Sequence, residues 1–137
     1  MKSSWFRAPV VLAALAVALP VAAHHSFAMF DFSKTMTVKG TVTEFRWTNP
    51  HVALLVKLDP QPGASPDDVW SMELTSPGNL TRGGWTRHSF KPGDRIDLVF
   101  NPLRDGRHGG AFEKATILAT GQVISSDLRA AEKPGLQ

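Results

Sequence analysis

The chain has 137 residues, 42% of them hydrophobic and 20% charged, with 15 Lys and Arg against 12 Asp and Glu and no cysteine. The missing thiol excludes a disulfide framework, a thiolate metal site, a cysteine nucleophile and a lipid-modified cysteine. This length suits one domain with its own core, and a net charge of +3 is too small to point to nucleic acid or an anionic membrane surface.

Lys2 and Arg7 open the chain, an apolar run follows from Ala8 to Leu19, and Pro20 with small residues closes the segment. This is the layout of a secretory signal peptide over residues 1–23. Its apolar run falls short of the roughly 20 residues a spanning helix needs, so no membrane association is expected after cleavage. Cutting after Ala23 sets Val21 and Ala23 at the two positions the peptidase reads, whereas cutting after Ala22 would set Pro20 at the first. The mature protein then begins His24-His25-Ser26, keeps 114 residues, carries 13 basic against 12 acidic side chains, and is periplasmic.

Residues 24–34 read as an extended, linker-like segment. Thr35 to Trp47 has the Thr, Val and aromatic content of a strand. Met36, Val38 and Val42 share one face, after which the apolar phase flips to Phe45 and Trp47. A flip with Gly40 inside the run predicts a long strand that bends or bulges, as a strand serving two sides of a small barrel does. Thr48-Asn49-Pro50 breaks it, because proline lacks a ladder donor and asparagine closes turns. His51 to Leu58 alternates, with Val52, Leu54, Val56 and Leu58 on one face and His51, Ala53, Leu55 and Lys57 on the other.

Asp59 to Asp68, with three prolines and a glycine, is a loop, and Val69 to Leu74 is a third strand carrying Trp70 and Met72. Ser76 caps a short helix that starts at Pro77, anchors through Leu80 and stops at Gly83-Gly84. Lys91-Pro92-Gly93-Asp94 turns into a fourth strand, Arg95 to Asn101, with Ile96, Leu98 and Phe100 on one face. Asp105-Gly106 and Gly109-Gly110 mark a hairpin loop before a fifth strand from Ala111 to about Thr120. From residue 125 the chain is a polar tail. The fold class is mainly β. A bent first strand, five strands in all and one short helix between strands 3 and 4 match the small oligonucleotide/oligosaccharide-binding (OB-like) barrel over residues 35–124; the competing layout is a small open sandwich.

Ala23-His24-His25-Ser26-Phe27, Gly40-Thr41-Val42 with Trp47-Thr48-Asn49-Pro50-His51, and Gly84-Trp85-Thr86-Arg87 ahead of Lys91-Pro92-Gly93-Asp94 occur in this order. Together they resemble a group of small exported bacterial proteins, domain-of-unknown-function family 6152. The resemblance covers nearly all of the mature chain. It implies a periplasmic location and a small β-barrel-like domain, and it implies no activity.

The sharpest chemical feature is the amino terminus that cleavage would create. A free α-amine and the imidazole of His24 hang from one α-carbon and can chelate a cation, and an amine pKa of about 7.7–8.0 lets a metal displace its proton near neutrality. Copper(II) is the expected guest, because nitrogen ligands suit it and it leads the divalent affinity order. His25 adds a further nitrogen. Ser26 stands where the common amino-terminal copper and nickel motif needs a third-position histidine. A brace-like site therefore needs another imidazole folded against the terminus, from among His51, His88 and His108, with His51 and His88 the leading metal candidates. The competing reading leaves both terminal histidines solvated.

Trp47, Asn49 and His51, with Arg46 nearby, can line a ligand groove on the second and third strands, or can satisfy the turn at Asn49-Pro50. Trp85 with Arg87 can hold an aromatic or carboxylate ligand, whereas Trp85 after a capping helix more naturally plugs the barrel. The charged loop residues around His108 read as a solvated turn, Met29 and Met36 as packing residues that offer soft sulfur, and Asp67-Asp68 as loop acids. No metalloprotease, phosphate-loop or serine-hydrolase signature is present. The expectation is thus a binding protein with no visible catalytic constellation. It holds a copper-like metal, or alternatively a small non-metal ligand or a periplasmic protein, and no nucleic acid.

Overall fold

The computed structural model describes residues 27–62, 65, 67–126 and 128. The segment read as a signal peptide and the histidines at 24 and 25 lie outside the described residues. A turn of 3-10 helix at Phe27–Met29 leads into strands β1 (Met36–Arg46), β2 (Ala53–Leu58) and β3 (Val69–Glu73), helix α1 (Pro77–Arg82), and strands β4 (Arg95–Pro102), β5 (Gly109–Ile117) and β6 (Gln122–Ser125). The strand order is β3-β2-β1-β4-β5-β6, and β3 also pairs with β5. That extra pairing closes the first five strands into a barrel and leaves β6 on the outside of β5.

β1 does what its face flip demanded. Its first half pairs with β4, from Met36 opposite Phe100 to Thr41 opposite Arg95. Its second half pairs with β2, from Gly40 opposite Leu58 to Arg46 opposite Ala53. The register slips between Val42 and Glu44, and this bulge carries the apolar phase from Val42 to Phe45 and Trp47. Gly40 sits where both partners meet. A Cβ there would lie 2.6 Å from Val56 Cγ1 and 2.8 Å from the Lys57 carbonyl, so the bend requires a residue with no side chain.

The inward faces are those the alternation indicates. Val52 just ahead of β2, Leu54 and Val56 of β2, Met72 of β3, and Ile96, Leu98 and Phe100 of β4 are completely buried. Each such side chain stabilises the fold by about 1.5–3 kcal/mol through its removal from water. The Ser76 hydroxyl accepts from the Asn79 backbone N–H at 3.3 Å, Pro77 occupies the first turn of α1, and Leu80 drops into the core. Trp85 follows and is buried against Phe45, Phe90 and Phe112 at centroid distances of 6.4, 6.0 and 5.6 Å. The helix and this tryptophan plug the barrel.

The structure corrects the sequence reading in three places. Gly109 and Gly110 belong to β5 rather than to a loop. A Cβ on Gly109 would lie 2.6 Å from the Ser71 carbonyl, and one on Gly110 would run into the Asn101 carbonyl, so two bare residues let β5 approach both neighbours. The fifth strand ends at Ile117 instead of about Thr120, and residues 118–121 turn back into β6. The segment read as a linker is attached to the barrel from its first described residues onward. Phe30 bridges to Leu103, Asp31 N–H donates to the Pro102 carbonyl at 2.8 Å, and buried Phe30 packs with Ala111 and Leu128 in a second small apolar cluster.

Candidate functional site

The polar features of the outer surface collect around the seam where β3 meets β5. The pairing there is parallel, Ser71 opposite Gly109 and Glu73 opposite Ala111. Ser71 and Glu73 occupy the outward phase of β3, because Met72 and Leu74 point into the core. Over this seam lies a hollow of about 270 Å3 whose walls include Met29, Phe30, Ser71, Glu73, Leu103 and His108. The amino-terminal segment thus supplies one wall, β3 the floor, and the loop before β5 the other wall.

Two histidines flank the hollow, each with its Nδ1 beside a carboxylate. His51 Nδ1 lies 2.5 Å from Glu73 Oε1, and both side chains are largely covered. The β2–β3 hairpin explains this contact. Ala53 faces Glu73, and beyond it Leu74 N–H donates to the Val52 carbonyl and Val52 N–H to the Thr75 carbonyl, so His51 and Glu73 are diagonal neighbours on one face. His108 Nδ1 lies 3.4 Å from Asp68 Oδ2, and its ring stacks on Trp70 at 4.8 Å with an interplanar angle of 13°. Trp70 in turn presents itself edge-on to Phe100 at 5.9 Å, which ties the stack to the core. A carboxylate on one imidazole nitrogen holds the proton there and sets the lone pair on the other, as outer partners do for metal-binding histidines.

The neighbouring basic residues are already engaged. Arg107 donates to Asp105 at 2.7 Å, and its backbone N–H and guanidinium hold the Asp105 carboxyl below the usual carboxylate range. Arg46 bonds both oxygens of Glu44, at 2.8 and 2.9 Å, and draws that acid's pKa down. Arg46 is therefore directed along its own strand. Asp31 accepts from the Ser33 hydroxyl at 2.6 Å and pairs with Lys34 at 3.3 Å; the Ser33 bond is the main reason its carboxyl titrates below the ordinary value.

Of the residues singled out from sequence, His51 is brought to the edge of the hollow through Glu73. Trp47 is half-buried, with its ring 5.7 Å from Phe45, and Asn49 is exposed. Trp85 is 6% exposed and is the plug described above. Arg87 and His88 are exposed on the turn after α1, where the His88 N–H donates to the Thr86 hydroxyl at 3.1 Å, and neither lines the seam hollow. His24 and His25 lie outside the described residues, so their contacts are not part of this geometry. Among the described residues no preassembled group of three or more His, Asp or Glu side chains suits a metal ion.

Glu73 was not singled out in the sequence, while His108 entered only as one candidate imidazole in a turn read as solvated and Asp68 only as a loop acid. Glu73 left a legible signal: an acid on the outward phase of β3, one strand from His51. The pairing of His108 with Asp68 left none, since each sits in a charged or proline-rich loop and 40 residues separate them. A larger hollow, about 410 Å3, lies beside Phe32, Asn101, Phe112 and Glu113, and no residue expected from sequence lines it.

A comparison with curated proteins finds no match, and a comparison with solved structures finds none either. A family model does match, over residues 12–113, and it reaches from the amino-terminal apolar run through the barrel into β5. With the bent first strand, the helical plug and the ordered motifs all inside that span, the chain belongs to the family of unknown function 6152.

Proposed function

We propose that this is an exported periplasmic β-barrel protein that holds a copper-like divalent ion through the amine and imidazole of a mature amino-terminal His24. The barrel serves as the platform on which the terminus is presented. The observation that carries the reading is the route of the amino-terminal segment: Phe30 is anchored to the barrel, and Met29 forms one wall of a hollow shared with Glu73 and His108. His24 precedes Met29 by five residues, a reach of at most about 18 Å at full extension. The chelate needs a further nitrogen to complete a nitrogen-rich site of the kind copper(II) favours, and histidines braced by carboxylates flank the hollow. Export rests on the signal layout of residues 1–23 and on cleavage after Ala23.

Calorimetric titration of copper(II) into the processed protein, with the terminus verified by intact mass, tests the reading. The expected result is tighter uptake than by a form with one extra residue ahead of His24. Equal affinity in the two forms overturns it.

A further inference from the structure

We infer that the larger hollow, beside a bulge in β5, binds a small organic cation, an ammonium group on an apolar body, with Glu113 as its counter-ion. None of the residues that line this hollow enters the copper reading above.

The strand registers build the site. β4 and β5 pair with Val99 opposite Lys114 and Phe100 opposite Phe112, so Glu113 is an extra residue with no partner on β4. A bulge of this kind bends the strand and re-aims the side chain it carries. On the other edge of β5, Lys114 lies opposite Ser125, and Ser126 N–H donates to the Glu113 carbonyl at 3.0 Å, which sets two serines beside the acid. Across β4, Met36 lies opposite Phe100, so Thr35 comes next to Asn101, and Asn101 Nδ2 donates to the Lys34 carbonyl at 2.9 Å. The entering segment, the end of β4, the bulge of β5 and the end of β6 thus converge on one space of about 410 Å3. That volume falls within the range of small-molecule sites, about 300–1,000 Å3.

The chemistry of the lining selects the ligand. Ala111, Phe112 and Leu128 are buried and give the hollow an apolar floor, and Phe32 stands at its side. The polar groups are the Glu113 carboxylate, the hydroxyls of Thr35, Ser125 and Ser126, and the Asn101 amide; no Lys, Arg or His lines the space. Every other acid among the described residues has a partner. Most pair with Lys or Arg, Glu73 and Asp68 lie against histidines, and Asp94 accepts from the Lys91 backbone N–H. The Glu113 side chain has no ion pair or hydrogen bond with any described residue. An unpaired acid on a flat surface is simply solvated, whereas this one stands on a bulge, beside hydroxyls and above an apolar floor. Carboxylate and hydroxyl oxygens can accept the three N–H donors of a primary ammonium, and the floor takes hydrocarbon out of water. An anion there would meet only like charge.

Hexylammonium, hexanol and hexanoate carry one hydrocarbon chain with a positive, a neutral and a negative head, and they test the site when titrated into the full chain with backbone amide chemical shifts as the readout. The expected result is a saturable shift at Glu113, Ser125 and Ser126 with hexylammonium, binding of hexanol about tenfold weaker, and no shift there with hexanoate. Glu113→Gln keeps the length of an exposed side chain and removes its charge. It should weaken hexylammonium about tenfold and leave hexanol unchanged, whereas Phe32→Ala should weaken both alike. The absence of a saturable hexylammonium shift at these amides overturns the inference. So does equal affinity of wild type and Glu113→Gln for hexylammonium, or binding of hexanoate as tight as that of hexylammonium.

Discussion

Two tryptophans on the same barrel are used in opposite ways. Trp85 is enclosed in the core beneath α1, with the rings of Phe45, Phe90 and Phe112 packed around it. Trp70 is only partly buried; it packs T-shaped with Phe100 and stacks with His108, which is held in turn by Asp68. The first arrangement removes apolar surface from water and does nothing else. The second connects the core to a titratable, partly exposed ring beside a hollow. The difference teaches how one fold uses the same side chain twice: a buried aromatic cluster makes the plug, whereas an aromatic ring that ends in a paired histidine leaves polar groups at the surface.

The largest effect should come from breaking the plug. Trp85→Ala removes a buried indole among three phenyl rings and should cost about 3–5 kcal/mol, read from a urea midpoint, since the stacked rings cannot collapse fully into the space. Trp70→Ala should cost clearly less in the same measurement, because Trp70 is only partly buried. It should nevertheless free the His108 ring that stacks on it, read as a change in the His108 ring-proton shifts. A Trp70 variant as damaging to stability as the Trp85 variant would erase the contrast.

The seam itself can be opened from the backbone. Gly110→Ala places a methyl group against the Asn101 carbonyl and the Phe100 ring, and should cost about 1–3 kcal/mol with faster amide exchange along β3 and β5. Unchanged exchange at Ser71 and Glu73 would show that the seam tolerates the intrusion.

A smaller effect should separate the amino-terminal segment from the barrel in acid. The native pKa of Asp31 lies below its ordinary value, chiefly through the Ser33 hydroxyl bond and then through Lys34. Its contribution is therefore complete above the unfolded carboxylate pKa, about 3.9, and disappears as pH falls through the lower native value. Amide hydrogen exchange at residues 30–34, corrected for the intrinsic rate at each pH, should accelerate below about pH 4, and Asp31→Asn should show the fast rate at neutral pH while the plug stays intact. Equal pH profiles for the two proteins would remove Asp31 from the account.

The smallest effect is expected from Arg95→Gln. This side chain bonds both oxygens of Asp59, at 2.6 and 2.7 Å, and its pull lowers the Asp59 pKa, but both partners are exposed. Solvent and salt screen such a pair, so the urea midpoint should move little and the shift should shrink further in 0.5 M salt. A large, salt-resistant loss would mean that this end of the barrel matters as much as the plug.

Much of the barrel could be read from residues a few positions apart. The alternation of Val52, Leu54 and Val56, the cap at Ser76 with Pro77, and the phase flip between Val42 and Phe45 each express a preference that acts within one strand or one turn. The same local rules misread Gly109 and Gly110, because a glycine pair looks alike in a hairpin loop and in a strand pressed between two neighbours. The candidate site was less legible still. His51 could be singled out because it follows a turn and starts a strand, and Glu73 stood one strand away on a predictable phase.

By itself, then, the sequence determined the strands, their inward faces and the capping helix, since these depend on side-chain period and backbone propensity over short distances. Only the tertiary structure decided that β3 pairs with β5, that Phe30 anchors the entering chain, and that Asp68, Trp70 and His108 form one unit. Those contacts join residues 38 to 73 positions apart, and no local pattern records them. They form because closing the barrel removes both sheet edges at the seam, and that gain depends on the whole set of strands at once.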